Sequence, residues 1–216
     1  KFVGLKYVVR FLYFIMRFHY FFLSCLILFS CDKNEKSQVF YDNKSKWIQI
    51  EKDLPKKDSL FYQDDPSPIF RKNLIVNKKI REAKLYITSA GYNAVFINDK
   101  RVGKNILDPA WTDFSKRIYY TEYDVIDLLK QGQNVVNVML GNGFYNPLPL
   151  KMWGWLNLRN EIKVGKPKFI LKLIITYLDG YKDEIVSDSS WKYSFGPIVR
   201  NSVYLGSHYH ARNEIK

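Results

Sequence analysis

The hydrophobic pattern after Lys46 is that of short β-strands separated by turn residues. Eight runs are rich in β-branched and aromatic residues and show partial alternation of apolar and polar positions, which buries one face of a strand. The runs are IFRKNLIV from Ile69, AKLYITS from Ala83, YNAVFIN from Tyr92, KRIYYTEYDV from Lys116, NVVNVMLG from Asn134, KFILKLIITYLDG from Lys168, DEIVSD from Asp183 and WKYSF from Trp191. Eight strands at this spacing predict an all-β protein with a β-sandwich.

Turn residues between these runs add two hairpins and one helix to the prediction. Asn98 and Asp99 tolerate positive φ and predict a tight hairpin, and LDG at 178–180 predicts a second one. The segment DVIDLLKQG, 124–132, predicts one short helix that is capped by its first aspartate and ended by its glycine. One helical turn between sandwich strands favours a jelly-roll over an immunoglobulin-type sandwich.

The N-terminal segment has a different composition. From Phe18 to Ser30 the only strongly polar side chain is His19, which gives about a dozen apolar positions, the length of a signal-peptide core and short for a membrane span. The segment ends in LFSC, which resembles the lipobox of bacterial lipoproteins, where the cysteine is lipidated. We therefore expect a signal peptide at 1–31, with Met16 as an alternative start, and lipidation at Cys31.

This expectation sets the predicted organisation and location of the chain. A polar tether at 32–46 would join the lipidated cysteine to a β-sandwich domain at 47–216. The expected location is the bacterial cell envelope, with the protein lipid-anchored in the outer membrane or periplasm, or secreted. The alternative is a single membrane anchor from Phe11 to Leu28.

The positive charge does not point to nucleic acid. The chain carries 34 Lys and Arg against 21 Asp and Glu, a formal net charge of +13. Four basic residues precede the apolar segment, and the others occur singly or in pairs such as Lys56–Lys57. Because no arginine cluster or basic helix is present in the sequence, we predict no nucleic-acid partner.

Motifs for catalysis and metal binding are weak. GNG at 141–143 lacks the spacing and the lysine of a phosphate loop. His208 and His210 alternate without an evident third ligand, so no metal site is predicted. Both cysteines lie in the N-terminal segment, and no GxSxG is present. Acidic pairs such as Asp64–Asp65 are sequence neighbours, whereas glycoside hydrolysis needs carboxyl groups that face each other across a sugar. No catalytic residue is predicted.

Aromatic residues beside turns give a stronger indication of a binding site. The chain has 5 Trp, 16 Tyr and 15 Phe, and several flank loops such as LGNGFYNPLPLKMWGW at 140–155. Sugar rings stack on exposed aromatic rings, while neighbouring polar side chains bind the hydroxyls. The alternative is that these rings pack the ends of the sandwich or an interface. The candidate carbohydrate-binding residues are Trp111, Asp113, Asn142, Tyr145, Trp153 and Arg159.

Several motifs in a fixed order resemble a known family. They are IND at 97–99, PAWTDF at 109–114, YDVIDLL at 123–129, LGNGFY at 140–145 and GPIVRNSVYLGSHYHAR at 196–212. Together they resemble the N-terminal accessory domain of bacterial α-L-rhamnosidases, glycoside hydrolase family 78, from about Trp47 to the last residue. The resemblance implies a jelly-roll, galactose-binding-domain-like β-sandwich that helps to recognise rhamnose-containing glycans beside a catalytic domain.

The resemblance also sets limits on function. The family's general acid and base lie on a downstream (α/α)6 barrel, so no catalytic residue carries over, and we expect a gene fragment whose catalytic domain is missing. The alternatives are a structural scaffold that packs on that domain, or part of an active α-L-rhamnosidase. Ser207 and His210 stand where the family has Glu and Asp, which removes acceptors for sugar hydroxyls or a cation. No cofactor is predicted, and calcium is left open.

Overall fold

The computed structural model describes residues 39–40 and 42–214, which belong to one compact unit, Val39–Lys216. The predicted signal peptide, its lipidation site Cys31 and most of the tether lie outside these residues. No helix among the described residues has the length and apolar composition needed to cross a membrane.

Two antiparallel sheets form a β-sandwich. The first sheet has five strands in the order β11-β1-β6-β3-β4, and the second has four in the order β10-β9-β2-β5. The strands of the five-stranded sheet are β1 (Pro68–Val76), β3 (Tyr92–Ile97), β4 (Lys100–Arg101), β6 (Gly132–Gly141) and β11 (Lys192–Phe195). Those of the four-stranded sheet are β2 (Ile80–Ala90), β5 (Thr121–Asp124), β9 (Lys168–Tyr177) and β10 (Lys182–Val186). The predicted β-sandwich is confirmed.

Short elements complete the described part of the fold. Two small hairpins are formed by β7 (Lys151–Met152) with β8 (Leu156–Asn157), and by β12 (Ile198–Ser202) with β13 (Gly206–Tyr209). The helical elements are α1 (Leu158–Glu161) and 3₁₀ turns at Asp58–Tyr62, Ile126–Leu128 and Ala211–Asn213.

The core lies between the two sheets and follows from the alternation in the sequence. In β6, Val136, Val138 and Leu140 are buried, while the residues between them are partly exposed on the other face. The inward residues of β2 and β9 meet them from the opposite sheet. At one side of this core the Phe169 ring packs edge-on against Phe70 at 5.2 Å between ring centroids. Burial of these apolar side chains is the main term that stabilises the sandwich.

The predicted hairpins are confirmed, whereas the helix predicted at 124–132 is shorter than expected. Asn98 and Asp99 have φ of 50° and 65° between β3 and β4. In 124–132, only one 3₁₀ turn forms after β5. The Asn134 side chain accepts a hydrogen bond from Lys130 N at 2.9 Å and donates one to Lys130 O at 2.6 Å. These bonds occupy backbone groups that a continuing helix would use. The one α-helix of the described residues is α1.

Candidate functional site

A cleft of about 280 Å³ lies on the outer face of the five-stranded sheet. Its floor is made of alternate residues of two paired strands, Tyr92 opposite Gly141 and Ala94 opposite Met139. These positions face away from the core because their neighbours in sequence are the buried ones. The regular pleat of β3 and β6 therefore fixes the floor.

The first wall of the cleft is the loop after β4, which contributes Ile106 and Leu107. This loop is anchored just beyond them, where Asp108 O accepts a hydrogen bond from Asn93 N at 2.7 Å. The buried Asp108 carboxylate also accepts hydrogen bonds from the hydroxyls of Thr121 and Tyr123, both at 2.7 Å. Burial and the Asp108 carboxylate together raise the pKa of Tyr123 to about 12. The wall is thus tied to the sandwich by buried polar groups.

The second wall is the β12–β13 hairpin, which contributes Ile198, Asn201, Ser202, Val203 and Ser207. The hairpin is joined to the chain before β1, since Ser67 N donates to Ile198 O at 2.9 Å and Asn201 Nδ2 donates to the Ser67 hydroxyl, also at 2.9 Å.

The GNG motif shapes the cleft through two different glycines. At Gly143, φ is 52° and a Cβ would lie 3.1 Å from Tyr92 and 3.2 Å from Gly91, so close packing and backbone conformation both require glycine. At Gly141, φ lies outside the left-handed region, and the nearest atom to a Cβ would be Asn201 Oδ1 at 3.4 Å. The backbone conformation therefore does not require glycine at position 141, and the small size of Gly141 keeps the floor of the cleft low.

The lining of the cleft is electrically neutral. No charged side chain lines it in the part of the chain that the structure describes. The Ser67 hydroxyl accepts a bond from Asn201, and the Ser202 hydroxyl accepts from Tyr204 N at 3.3 Å, so each keeps its O–H as a donor. The Ser207 hydroxyl makes no hydrogen bond with the described residues. These three serine hydroxyls lie on the second wall or next to it.

An aromatic cluster, defined as Trp111, Phe144 and Tyr204, adjoins the cleft. Phe144 lies 4.8 Å from Trp111 and 6.1 Å from Tyr204 between ring centroids. Trp111 and Tyr204 are each about half exposed, and Tyr204 follows the cleft residue Val203. The sequence predicted Trp111 as a site residue but not Tyr204, which comes from a distant hairpin. It also did not predict Ile106 and Leu107, because apolar side chains in a loop do not by themselves indicate a site.

Two predicted site residues, Asn142 and Arg159, brace the long loop after β6. Asn142 N donates to Asn201 Oδ1 at 2.7 Å, and Asn142 Oδ1 accepts from Asn146 Nδ2 at 2.8 Å. Arg159 donates to Asn146 Oδ1 at 2.8 Å and to Pro147 O at 2.6 Å. The guanidinium lies 3.9 Å from the centroid of the Phe61 ring, and burial lowers the pKa of Arg159. These polar groups are already used within the protein.

Two other predicted residues, Tyr145 and Asp113, also have local partners. Tyr145 is buried with its ring 5.0 Å from that of Phe114, and desolvation raises the pKa of its hydroxyl. A Cβ at Gly165 would lie 2.5 Å from this hydroxyl, so the ring fills the available space. Asp113 Oδ1 accepts from Ser115 N at 2.9 Å and from the Ser115 hydroxyl, which lowers the pKa of Asp113. Asp113 remains on the surface, whereas Tyr145 packs inside.

The last predicted residue, Trp153, lies at the tip of the β7–β8 hairpin and does not line the cleft. Its side chain is 75% exposed and makes no ring contact or hydrogen bond with the described residues. Its φ of 51° is unusual for a large residue, and the following Gly154 has φ of 83°. Trp153 is therefore exposed at a backbone position that favours asparagine or glycine.

Metal ligands do not converge in the described part of the chain. No group of three His, Cys, Asp or Glu side chains suited to an ion occurs among those residues. His208 instead contacts the Arg200 guanidinium at 3.0 Å through a ring nitrogen.

Comparison with known proteins relates this geometry to one family. The profile of the alpha-L-rhamnosidase N-terminal domain matches residues 78–216. An alpha-L-rhamnosidase of Formosa agariphila is 38% identical over 149 residues, which cover 68% of this chain and 15% of that protein.

Solved structures agree with the sequence match. The alpha-L-rhamnosidase of Aspergillus terreus has a TM-score of 0.68 and 34% identity, over 79% of this chain and 18% of that one. The alpha-L-rhamnosidase of Streptomyces avermitilis, solved in complex with L-rhamnose, has a TM-score of 0.63 and 30% identity, over 70% of this chain and 14% of that one. The chain thus spans less than a fifth of the length of these relatives. It belongs to the family of alpha-L-rhamnosidase N-terminal domains.

Proposed function

We propose that this chain acts as a non-catalytic accessory domain that recognises rhamnose-containing glycans for an α-L-rhamnosidase-like protein. The observation that carries the proposal is the neutral cleft on the five-stranded sheet. A neutral sugar offers C–H groups and hydroxyls, and the cleft offers apolar walls and hydroxyls with unused capacity. Its volume of about 280 Å³ is close to the lower end of small-molecule sites, roughly 300–1,000 Å³, and suits a single sugar ring.

The aromatic cluster supports binding of a glycan longer than one residue. Trp111 presents a half-exposed ring that Phe144 holds in place, and Asp113 follows two positions later on the surface. A second sugar ring could stack on the indole while the first occupies the cleft. Trp153 would offer a separate stacking surface on its hairpin.

The experiment is a calorimetric or NMR titration of the purified chain with L-rhamnose and methyl α-L-rhamnoside. We expect saturable binding at millimolar sugar. The variant Ala94→Leu raises the cleft floor and should abolish binding, while Ala211→Leu makes the same change at an exposed position outside the cleft and should not. Absence of binding at tens of millimolar sugar overturns the proposal, and so does equal binding by both variants.

A second candidate function is docking onto the remainder of an α-L-rhamnosidase-like protein. The observation that favours it is the exposure of large aliphatic side chains, with Ile106 at 79% and Leu107 and Leu205 each at 60%. Exposed apolar side chains that are clustered are typical of interaction sites and promote self-association when uncovered. Replacing the three with serine should lower self-association in sedimentation analysis. A chain that is monomeric before substitution contradicts this candidate.

The proposal for location and anchoring concerns the N-terminal segment and rests on the LFSC motif alone. We propose lipidation of Cys31 and attachment to the cell envelope. Incorporation of a labelled fatty acid should require this cysteine, and Cys31→Ser should release the protein from the membrane fraction. Labelling that survives the substitution contradicts the proposal.

A further inference from the structure

We infer that the cleft selects 6-deoxyhexoses by placing the C6 methyl group against the aliphatic wall formed by Ile106 and Leu107. This inference rests on the proposed function and adds that the site distinguishes sugars by the substituent at C6. Sugars with a hydroxyl or a carboxylate at C6 are disfavoured at the same place.

The two walls of the cleft differ in chemistry. The 106–107 wall presents only aliphatic side chains, and Ala94 adds a methyl group on β3, the strand that Asn93 bonds to this loop. The serine hydroxyls that are available as donors lie on the opposite side, Ser202 and Ser207 on the hairpin and Ser67 next to it. A 6-deoxyhexose has a matching division, because its methyl group lies at one end of the ring and its secondary hydroxyls lie elsewhere. One orientation of the sugar therefore suits both walls.

Packing within the domain does not explain the aliphatic wall. Ile106 and Leu107 are 79% and 60% exposed although the residue after them, Asp108, is buried and firmly hydrogen-bonded. The loop therefore holds two apolar side chains in water beside a cleft. Contact with a methyl group removes part of this apolar surface from water, which favours binding.

A C6 hydroxyl would lose hydrogen bonds to water and find no partner on this wall. Apolar pockets disfavour an added hydroxyl by roughly tenfold to hundredfold in affinity. A C6 carboxylate meets the same wall, and no lysine or arginine lines the cleft in the described part of the chain. Desolvation of the charged group is therefore not offset by an ion pair.

Three sugars separate the contribution of the methyl group. L-Mannose differs from L-rhamnose only by the hydroxyl at C6, and L-lyxose lacks C6 altogether. In titrations of the whole chain we expect L-rhamnose to bind at least tenfold more tightly than L-mannose, and about fourfold more tightly than L-lyxose, the value of one buried methyl group. Equal affinities for L-rhamnose and L-mannose overturn the inference but leave the proposed function intact, whereas no binding of any sugar overturns both.

A matched pair of variants tests the wall itself. Leu107→Asn supplies a hydrogen-bonding group for a C6 hydroxyl and should reduce the preference for L-rhamnose over L-mannose to about threefold or less. Leu205→Asn is the control, because Leu205 has the same 60% exposure and does not line the cleft. An unchanged preference in Leu107→Asn, or an equal loss in the control, overturns the assignment of the methyl group to this wall.

Discussion

Two groups of polar side chains near the cleft differ in what their hydrogen-bonding atoms do. Hydrogen bonds join Asn142, Asn146 and Arg159 to one another and to the backbone of Pro147. The protein itself therefore uses their hydrogen-bonding groups. Ser207, on the cleft wall, has a hydroxyl without a partner among the described residues. Polar residue types in an aromatic loop therefore do not identify a binding site. Unused hydrogen-bonding capacity beside a cleft is the better indicator.

The largest predicted effect removes a member of the bonded group. Asn142→Ala removes the acceptor of the Asn146 Nδ2 group and the donor to the Asn201 backbone carbonyl, and we expect the free energy of unfolding to fall by about 2–3 kcal/mol. Urea denaturation followed by tryptophan fluorescence measures the change. Ser207→Ala, with no partner to lose, should stay within about 0.5 kcal/mol of the parent chain. Equal losses in both variants would break the distinction between the two groups.

A second prediction tests the buried anchor of the aliphatic wall by pH. The pKa of Tyr123 is raised to about 12, above the value near 10 of an unfolded tyrosine. Its neutral form is therefore favoured in the folded state, so its stabilising contribution is present below pH 10 and is lost as pH rises toward 12. Tyr123→Phe should destabilise the protein by about 1–2 kcal/mol at pH 8 and differ less from the parent near pH 12.

Burial also raises the pKa of Tyr177, so the parent chain loses stability in alkali for more than one reason. The informative quantity is therefore the difference between the parent and Tyr123→Phe in unfolding free energy, measured from pH 8 to 12. A difference that stays constant over this range would contradict the contribution of the Asp108–Tyr123 hydrogen bond.

A third prediction extends the comparison to the two exposed tryptophans. Trp111 packs on Phe144, whereas the Trp153 side chain has no contact of this kind and its backbone has positive φ. Trp153→Asn should raise the free energy of unfolding by about 1 kcal/mol, because asparagine adopts this conformation more readily. The thermal midpoint should therefore rise slightly. Trp111→Ala should lower it. A lower midpoint for Trp153→Asn would show that the indole packs against the domain.

The smallest predicted effect concerns the unused hydroxyl. Ser207→Ala should weaken L-rhamnose binding by roughly twofold to tenfold, the value of one hydrogen bond, without changing stability. Calorimetric titration of this variant beside the parent chain measures the ratio. Ser190→Ala serves as the control, since its hydroxyl bonds Asp188 and neither residue lines the cleft. An unchanged affinity would remove Ser207 from the site.

Eight strands of the two sheets were predictable from sequence because alternation is a local property, whereas the short strands β12 and β13 of the second wall were not predicted. The hairpin at Asn98–Asp99 was predictable for the same reason, as its residues carry their own conformational preference. The helix at 124–132 is limited to one 3₁₀ turn because the side chain of Asn134 bonds the Lys130 backbone, a contact that periodicity does not show.

The candidate site depends on contacts between distant parts of the sequence. Its floor pairs Ala94 with Met139, and its second wall adds Ser207 from the end of the chain. Likewise, Asn142 is bonded by Asn201, and Tyr145 is buried beside Phe114. Such pairings follow from tertiary structure, so single-sequence reasoning could name suitable residue types but not decide which of them stay available.

Glycan binding in the cleft is tested most directly by an NMR titration of the whole chain with L-rhamnose. We expect saturable shifts in the amide signals of Ala94, Gly141 and Ser207, no shifts at Arg159, and loss of the effect in Ala94→Leu but not in Ala211→Leu. Shifts confined to other residues, or no shifts at tens of millimolar sugar, would contradict it.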